Sequence, residues 1–181
     1  MIYPIVTFGS SVLRKISVDI DSSYPAIQEL CQDMFHTLSQ AEGVGLAAPQ
    51  IGKNIRLFIV DCTPWAEEVP ELKDFRKVFI NASIYERSEE TSLFEEGCLS
   101  VPGIHENVRR SVSIKMRYLD ENFQEHDEAF SGYPARVIQH EYDHLEGKIF
   151  TDHLSALRRS LIKSKMLNIS KKKFSCTYKT K

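Results

Sequence analysis

Gly132-Tyr133-Pro134-Ala135-Arg136-Val137-Ile138-Gln139-His140-Glu141-Tyr142-Asp143-His144-Leu145-Glu146-Gly147 is the stretch on which the reading of this chain turns. Gly132 and Pro134 suit the opening of a helix and Gly147 its close, so a helix is expected over 133–146. Residues four apart share one helical face, which sets the imidazoles of His140 and His144 about one turn apart, within reach of a single metal ion. Glu141 projects to the side of that pair. There it can accept a proton from water on the ion without being a ligand, and a divalent metal lowers the pKa of its water towards about 7. In a chain of this composition, chance produces H-E-x-x-H ~2 times in 100, so the motif needs support from elsewhere.

A catalytic site of this type requires a third protein ligand. The extended pattern that ends in a third His matches through Gly147 but meets Phe150 where that His would stand. The variant with a downstream Glu is closed as well, because no acid follows Asp152. His153, Cys176 and the upstream segment Glu95-Glu96-Gly97-Cys98-Leu99-Ser100-Val101-Pro102 remain as sources. A further segment, Gly43-Val44-Gly45-Leu46-Ala47-Ala48-Pro49-Gln50, is rich in small residues that let a ligand approach the backbone closely. It lacks the Lys-Ser/Thr of a phosphate loop, and its plainest reading is a tight turn.

With 181 residues, 42% of them hydrophobic and 27% charged, the chain fits one globular domain. No apolar run approaches the roughly 20 residues that span a bilayer, and the first residues lack the basic-then-apolar order of a signal peptide; the expected compartment is the cytoplasm. The four cysteines at 31, 62, 98 and 176 are scattered, which argues against a disulfide framework. The net charge of −2 is unevenly spread. Nine Lys/Arg and no acid follow residue 157, so the tail carries +9 and the rest of the chain −11. Such a tail is either a solvated end or a surface for an anionic partner such as RNA.

Outward from the metal helix, Ile27, Leu30, Cys31, Met34, Phe35 and Leu38 recur at helical spacing and predict a helix over 24–41, capped by Ser22 or Ser23, with Gly43 just past its end. Strands are expected at Ile55–Asp61, Val78–Ile84 and Val112–Leu119, with a weaker one at 124–130. Residues 63–76 read as a surface excursion. A last helix begins near Leu154 with Leu157, Leu161 and Ile162 as its apolar side. Strands followed by a helix among them indicate an α+β fold rather than alternating βαβ units.

Three segments in order, Gly43–Gln50, Glu96–Ser100 and Gln139–Gly147, match the G-φ-G-φ-A-A-x-Q, E-G-C-φ-S and Q-H-E-x-D-H-φ-x-G patterns without departure at a defining position. On these the sequence resembles the peptide deformylase family, over nearly the whole chain. The resemblance implies mixed or antiparallel sheets around a central metal-binding helix with a C-terminal helix, as one catalytic domain over 1–164 followed by a basic tail at 165–181. It implies that Cys98, His140 and His144 bind one divalent metal per chain, natively Fe2+, with Zn2+, Ni2+ or Co2+ able to substitute. Glu141 would be general base and then acid. Gln50 through its amide and Leu99 through its backbone N–H would stabilise an oxyanion, each such donor being worth about 3 kcal/mol.

Gly45 and Gly97 would meet an extended peptide through their backbone, and Val44, Tyr133, Val137 and His140 would wall the methionine side chain, with Ile138 facing the core. Glu96, Arg110 and Asp143 would orient the ligands from behind; the bland alternatives are an ordinary surface pair worth about 0–1 kcal/mol for Glu96–Arg110 and a helix-surface acid for Asp143. The implied activity is hydrolysis of the N-formyl group of N-formylmethionyl nascent peptides by a monomer, with the basic tail docking on the ribosome. Two alternatives stand beside it: a metallo-endopeptidase of the H-E-x-x-H class, and a non-catalytic RNA-binding module with a structural metal.

Overall fold

The computed structural model describes residues 1–181. In chain order its regular elements are α1 (Ile27–Gln40), β1 (Gly45–Ala47), β2 (Leu57–Asp61), β3 (Arg76–Arg87), β4 (Thr91–Cys98), β5 (Val101–Ser111), β6 (Ser113–Leu119), β7 (Glu125–Ser131), α2 (Gly132–Leu145) and α3 (Ala156–Ser170), with several short 3-10 turns between them. β1, β2, β3, β6 and β7 form one antiparallel sheet in that order, while β4 and β5 pair as a separate hairpin. This is an α+β fold.

The run Leu57-Phe58-Ile59-Val60 shows why the layers stack as they do. Successive side chains of a strand point to opposite faces, and all four are fully buried. Phe58 and Val60 join the cluster of Phe79, Tyr118, Phe130, Ile138 and Leu145 that packs α2 on one face of the sheet. Leu57 and Ile59 join Ile80, Met34 and Leu38, which seat α1 on the other. A strand buried on both faces has to be apolar at consecutive positions, and β2 is. A third cluster lies between β5 and α3, from Val101, Ile104, Val108, Ile149, Phe150, Leu154, Ile162 and Ile169.

α2 is enclosed on nearly every side: Ala135 through Glu141 and Asp143 through Leu145 are all buried. It ends at Gly147, whose φ of +68° suits glycine. A Cβ there would also lie 2.7 Å from the carbonyl oxygen of Arg14.

Several expectations need correction. α1 opens at Ala26, in left-handed conformation, and neither Ser22 nor Ser23 caps it; Ser23 instead closes a local turn on Asp21. The apolar side of α3 is Ile162 and Ile169, two turns apart, whereas Leu157 and Leu161 are 70% and 63% exposed. The boundary drawn at 164/165 falls inside α3. Beyond that helix residues 171–181 double back, with Ile5 N–H donating to Lys179 O at 2.8 Å and Lys181 N–H to Ile5 O at 2.9 Å.

β4 and β5 were not read as strands. Most of β4 is exposed and shows no alternation. β5 does alternate, but Glu106 and Arg110 occupy inward positions, so an apolar pattern search passes over it. The 63–76 excursion holds two 3-10 turns, and Leu72 anchors it in the core. No helix is long and apolar enough to cross a membrane.

Candidate active site

α2 carries His140 and His144 one turn apart, with ring centroids separated by 5.3 Å. Cys98 ends β4, next to the two-residue turn Leu99–Ser100 that leads into β5. Its Sγ lies 3.3 Å from His144 Nε2. The ligand atoms offered by Cys98, His140 and His144 all fall within 4.8 Å of one another. His153 and Cys176, the other sources of a third ligand, lie outside this cluster. His153 Nε2 pairs with Asp143 Oδ2 at 2.7 Å, and the Cys176 thiol donates to Tyr178 O at 3.3 Å. Phe150 stacks its fully buried ring on His140 at 5.9 Å.

The electrostatics suit a cation. Burial alone would push the Cys98 thiol up, but the imidazoles of His144 and His140 more than offset it and bring the thiol down to about 5. Burial would lower His140, yet its bonds to Cys98 and Glu96 raise it well above the ordinary value. His140 Nδ1 is taken by Glu96 Oε2 at 2.9 Å, which leaves Nε2 for the cluster. One soft thiolate and two imidazoles fit a divalent transition metal.

Behind these ligands is a buried ionic network. Arg110 Nε and Nη2 donate to the two Glu96 oxygens at 2.6 and 3.0 Å, and its Nη1 to Asp143 Oδ2 at 2.8 Å. Glu96, Arg110 and Asp143 are all less than a tenth exposed, so neither the surface-pair reading nor the helix-surface reading describes them. Arg136 adds a second guanidinium, donating to Glu96 Oε1 at 2.8 Å, to Val108 O at 2.9 Å and to Ser92 O at 2.8 Å. Sequence reasoning missed Arg136 and His153. Arg136 had a signal, since it sits four residues before His140 on the same helix; His153 stood out only as a possible metal ligand, and its pairing with Asp143 had no local signal.

In front of the cluster lies a cavity of about 640 Å³. Val44, Gly45, Gln50, Gly97, Leu99, Tyr133, Val137 and Glu141 all line it, while Ile138 is turned into the core. Gln50 sits in the 3-10 turn Ala48–Ile51. Its Oε1 accepts the Ala47 N–H at 2.8 Å, which turns Nε2 towards Ser100 Oγ at 3.2 Å and Cys98 Sγ at 3.5 Å. Leu99 N–H has no acceptor within the chain.

Glu141 is buried, and its Oε2 has no partner within the chain. Burial pushes its carboxyl up to about 7, against the pull of His140 and His144. Gly45 passes so close that a Cβ there would sit 2.7 Å from the Glu141 Cδ. Trp65 and Phe94 flank Tyr133 at centroid distances of 6.1 and 6.2 Å, and residues 175–178 close another side of the cavity; of these only Cys176 stands out in the sequence, as a possible ligand and not as a cavity wall.

Comparison with known proteins identifies the family. The family model described as polypeptide deformylase matches residues 2–160. The peptide deformylase of Christiangramia forsetii is 51% identical over 99% of this chain and 95% of its own length, and that of Cytophaga hutchinsonii is 45% identical over 100% and 97%. Among solved structures, the peptide deformylase of Thermus thermophilus superposes with a TM-score of 0.84 at 36% identity, covering 95% of this chain and 99% of that one. Peptide deformylase 1B of Arabidopsis thaliana, solved with an inhibitor, gives 0.83 at 32% identity over 93% and 91%.

Proposed function

The chain belongs to the polypeptide deformylase family, and on that premise we propose how its residues divide the work of removing the N-formyl group from formylmethionyl nascent peptides. The enzyme is a hydrolase: water adds to the formyl carbon, the C–N bond breaks, formate leaves, and the departing nitrogen takes up a proton from that water to become the amine. The observation that carries the assignment of residues is the cluster of Cys98, His140 and His144, two of which, Cys98 and His140, line one cavity with Glu141 and Gln50. A metallo-endopeptidase is not favoured, since the matching family model, relatives and solved structures are deformylases.

Cys98, His140 and His144 hold a divalent metal, which when bound supplies Lewis acidity to the formyl carbonyl and to water. We assign Fe2+ as the resident ion, with Zn2+, Ni2+ or Co2+ able to stand in; a thiolate with two imidazoles suits all of them. Glu141 takes the proton of the attacking water and delivers it to the leaving nitrogen, a task matched to a carboxyl held at about 7. Gln50 Nε2 and Leu99 N–H donate to the oxyanion as the carbonyl oxygen gains charge. The bond from Ala47 N–H to Gln50 Oε1 fixes which end of the amide faces the site.

Gly45 and Gly97 pair with the extended peptide backbone, and Val44, Tyr133 and Val137 enclose the methionine side chain. Glu96 holds the His140 ring, while Arg110 ties Glu96 to Asp143. The test is release of formate from a formyl-Met peptide by protein loaded with Fe2+, Ni2+ or Co2+. No formate from any fully loaded form would overturn the assignment. Gln50→Ala is expected to lower kcat about 10²-fold with metal retained, and Cys98→Ser to lose metal on dialysis; metal retained at full stoichiometry by Cys98→Ser would remove Cys98 from the ligand set.

We further propose that the enzyme works as a monomer in the cytoplasm, and that α3 docks it near the ribosome, where formylated chains emerge beside anionic RNA. Arg159, Lys163 and Lys165 are exposed on α3. The double reversal Lys163→Glu/Lys165→Glu is expected to weaken co-sedimentation with ribosomes, and the salt dependence of binding should become shallower. Equal binding by this variant at low and moderate salt would remove α3 from the docking surface.

A further inference from the structure

We propose that the C-terminal segment 174–181 is a working part of the active site, and that Tyr178 is a positioning residue that sets the Leu99–Ser100 turn through a hydrogen bond to Leu99. Tyr178 Oη donates to Leu99 O at 2.8 Å, on the same cavity-lining residue whose N–H has no backbone acceptor. Cys98 immediately precedes this turn. A bond to the Leu99 carbonyl therefore acts on two neighbouring groups, the sulfur ligand and the free N–H. The Leu99 carbonyl shares its peptide plane with the Ser100 N–H; the Leu99 N–H lies in the preceding plane, joined to it only through the two Leu99 backbone dihedrals, so a bond that holds the carbonyl narrows the range over which that N–H can turn.

The rest of the segment is anchored so that Tyr178 cannot drift. Its backbone pairs with Ile5, through Ile5 N–H to Lys179 O and Lys181 N–H to Ile5 O. Lys181 Nζ donates to Ile51 O at 3.2 Å, just after Gln50, and Lys172 Nζ to Thr7 Oγ1 and to Lys181 O at 2.6 and 2.7 Å. The N-terminal segment held in this way reaches the site from its other edge: Val6 N–H donates to Gln50 O at 2.7 Å and Phe8 N–H to Ser100 O at 2.8 Å. The two segments that carry the oxyanion donors are thus both tied to residues 5–8, and the C-terminal segment clamps residues 5–8 in turn. Ser175 to Tyr178 also form a wall of the cavity.

The inference rests on the assignment of Leu99 N–H as an oxyanion donor, and its test separates the two. Tyr178→Phe keeps the ring and removes only the hydroxyl. In the full-length zinc-loaded protein, the Leu99 carbonyl ¹³C resonance is expected to move upfield as the bond is lost, with metal stoichiometry and Tm unchanged. The kcat on a formyl-Met peptide is expected to fall about tenfold with KM held within about twofold, since a small misplacement of a positioned donor is felt in the rate. An unmoved Leu99 resonance, or a fall in Tm with kcat intact, would overturn the proposal. Replacing the Leu99 amide by an ester through semisynthesis removes the N–H itself. An unchanged kcat there would sink the donor assignment, whereas a lowered kcat there beside an intact Tyr178→Phe would sink the positioning role alone.

Discussion

Glu141→Gln is expected to lower kcat for formate release about 10³-fold, within the range that a positioned general base contributes. The substitution keeps the volume and planarity of the side chain, so the packing of Gly45 against it survives. It removes the carboxylate whose Oε2 is buried without a partner at the cavity. Glu96 is committed to Arg110, Arg136 and His140, and Asp143 to Arg110 and His153, so neither can take its place. Metal content should stay stoichiometric by elemental analysis, because Glu141 lies outside the cluster of Cys98, His140 and His144. KM should change little, since the loss is felt in proton transfer and not in peptide binding. A variant retaining more than about a tenth of wild-type kcat would remove Glu141 from the mechanism and leave base catalysis without a residue.

The largest effect on stability is expected from Arg110→Met. Methionine fills much of the space of the arginine stem but leaves Glu96 and Asp143 as buried carboxylates short of a partner. Removing one member of a buried ion pair costs about 3–5 kcal/mol. The remaining bonds from Arg136 and His153 argue for the lower end, or a Tm lowered by roughly 10 °C in a chain of this size. Arg117→Met, which breaks an exposed pair with Asp127, is the control and should unfold with the wild type.

The same cluster sets the response to acid. For Asp143 burial pushes the carboxyl up, but the bonds from His153 and Arg110 outweigh it and hold it below its ordinary value; for Glu96, His140 and Arg110 outweigh burial in the same way. A carboxyl whose folded pKa is depressed contributes stability that is fully present above its unfolded pKa, about 4, and is lost as pH falls through the folded value. Urea midpoints should therefore be level above about pH 5 and decline below it, with a shallower decline in Arg110→Met. A variant with wild-type Tm and an unchanged acid profile would show that the network contributes nothing to stability.

The reading of the sequence succeeded where a local rule matched the tertiary demand. β2 and β3 are apolar runs because both their faces are buried, and α1 shows an apolar stripe because only one face is. His140, Glu141 and His144 lie within one helical turn or so of each other, so their spacing alone declares their geometry. The hairpin of β4 and β5 escaped because its inward positions hold Glu106 and Arg110, charges satisfied by Arg158, Glu96 and Asp143. No periodicity of hydrophobic residues can report a strand whose core is partly ionic. The apolar side of α3 was misjudged for a related reason: Leu157 and Leu161 match a helical stripe as well as Ile162 and Ile169 do, and only the position of β5 decides between them.

By itself, then, the sequence determined the fold class, the three motif segments and the chemistry of the metal helix, because those depend on residue types at fixed local spacings. Tertiary structure alone decided what surrounds that helix. It set Arg136 and Arg110 together on Glu96, brought His153 to Asp143 rather than to the cluster of Cys98, His140 and His144, and returned the C-terminal segment to residues 5–8 so that Tyr178 meets Leu99. These contacts join residues up to 176 positions apart, Ile5 with Lys181 among them. Chain entropy opposes each such closure without favouring any partner. Only the burial and hydrogen bonding available in the folded molecule select them, which is why no local pattern announces them.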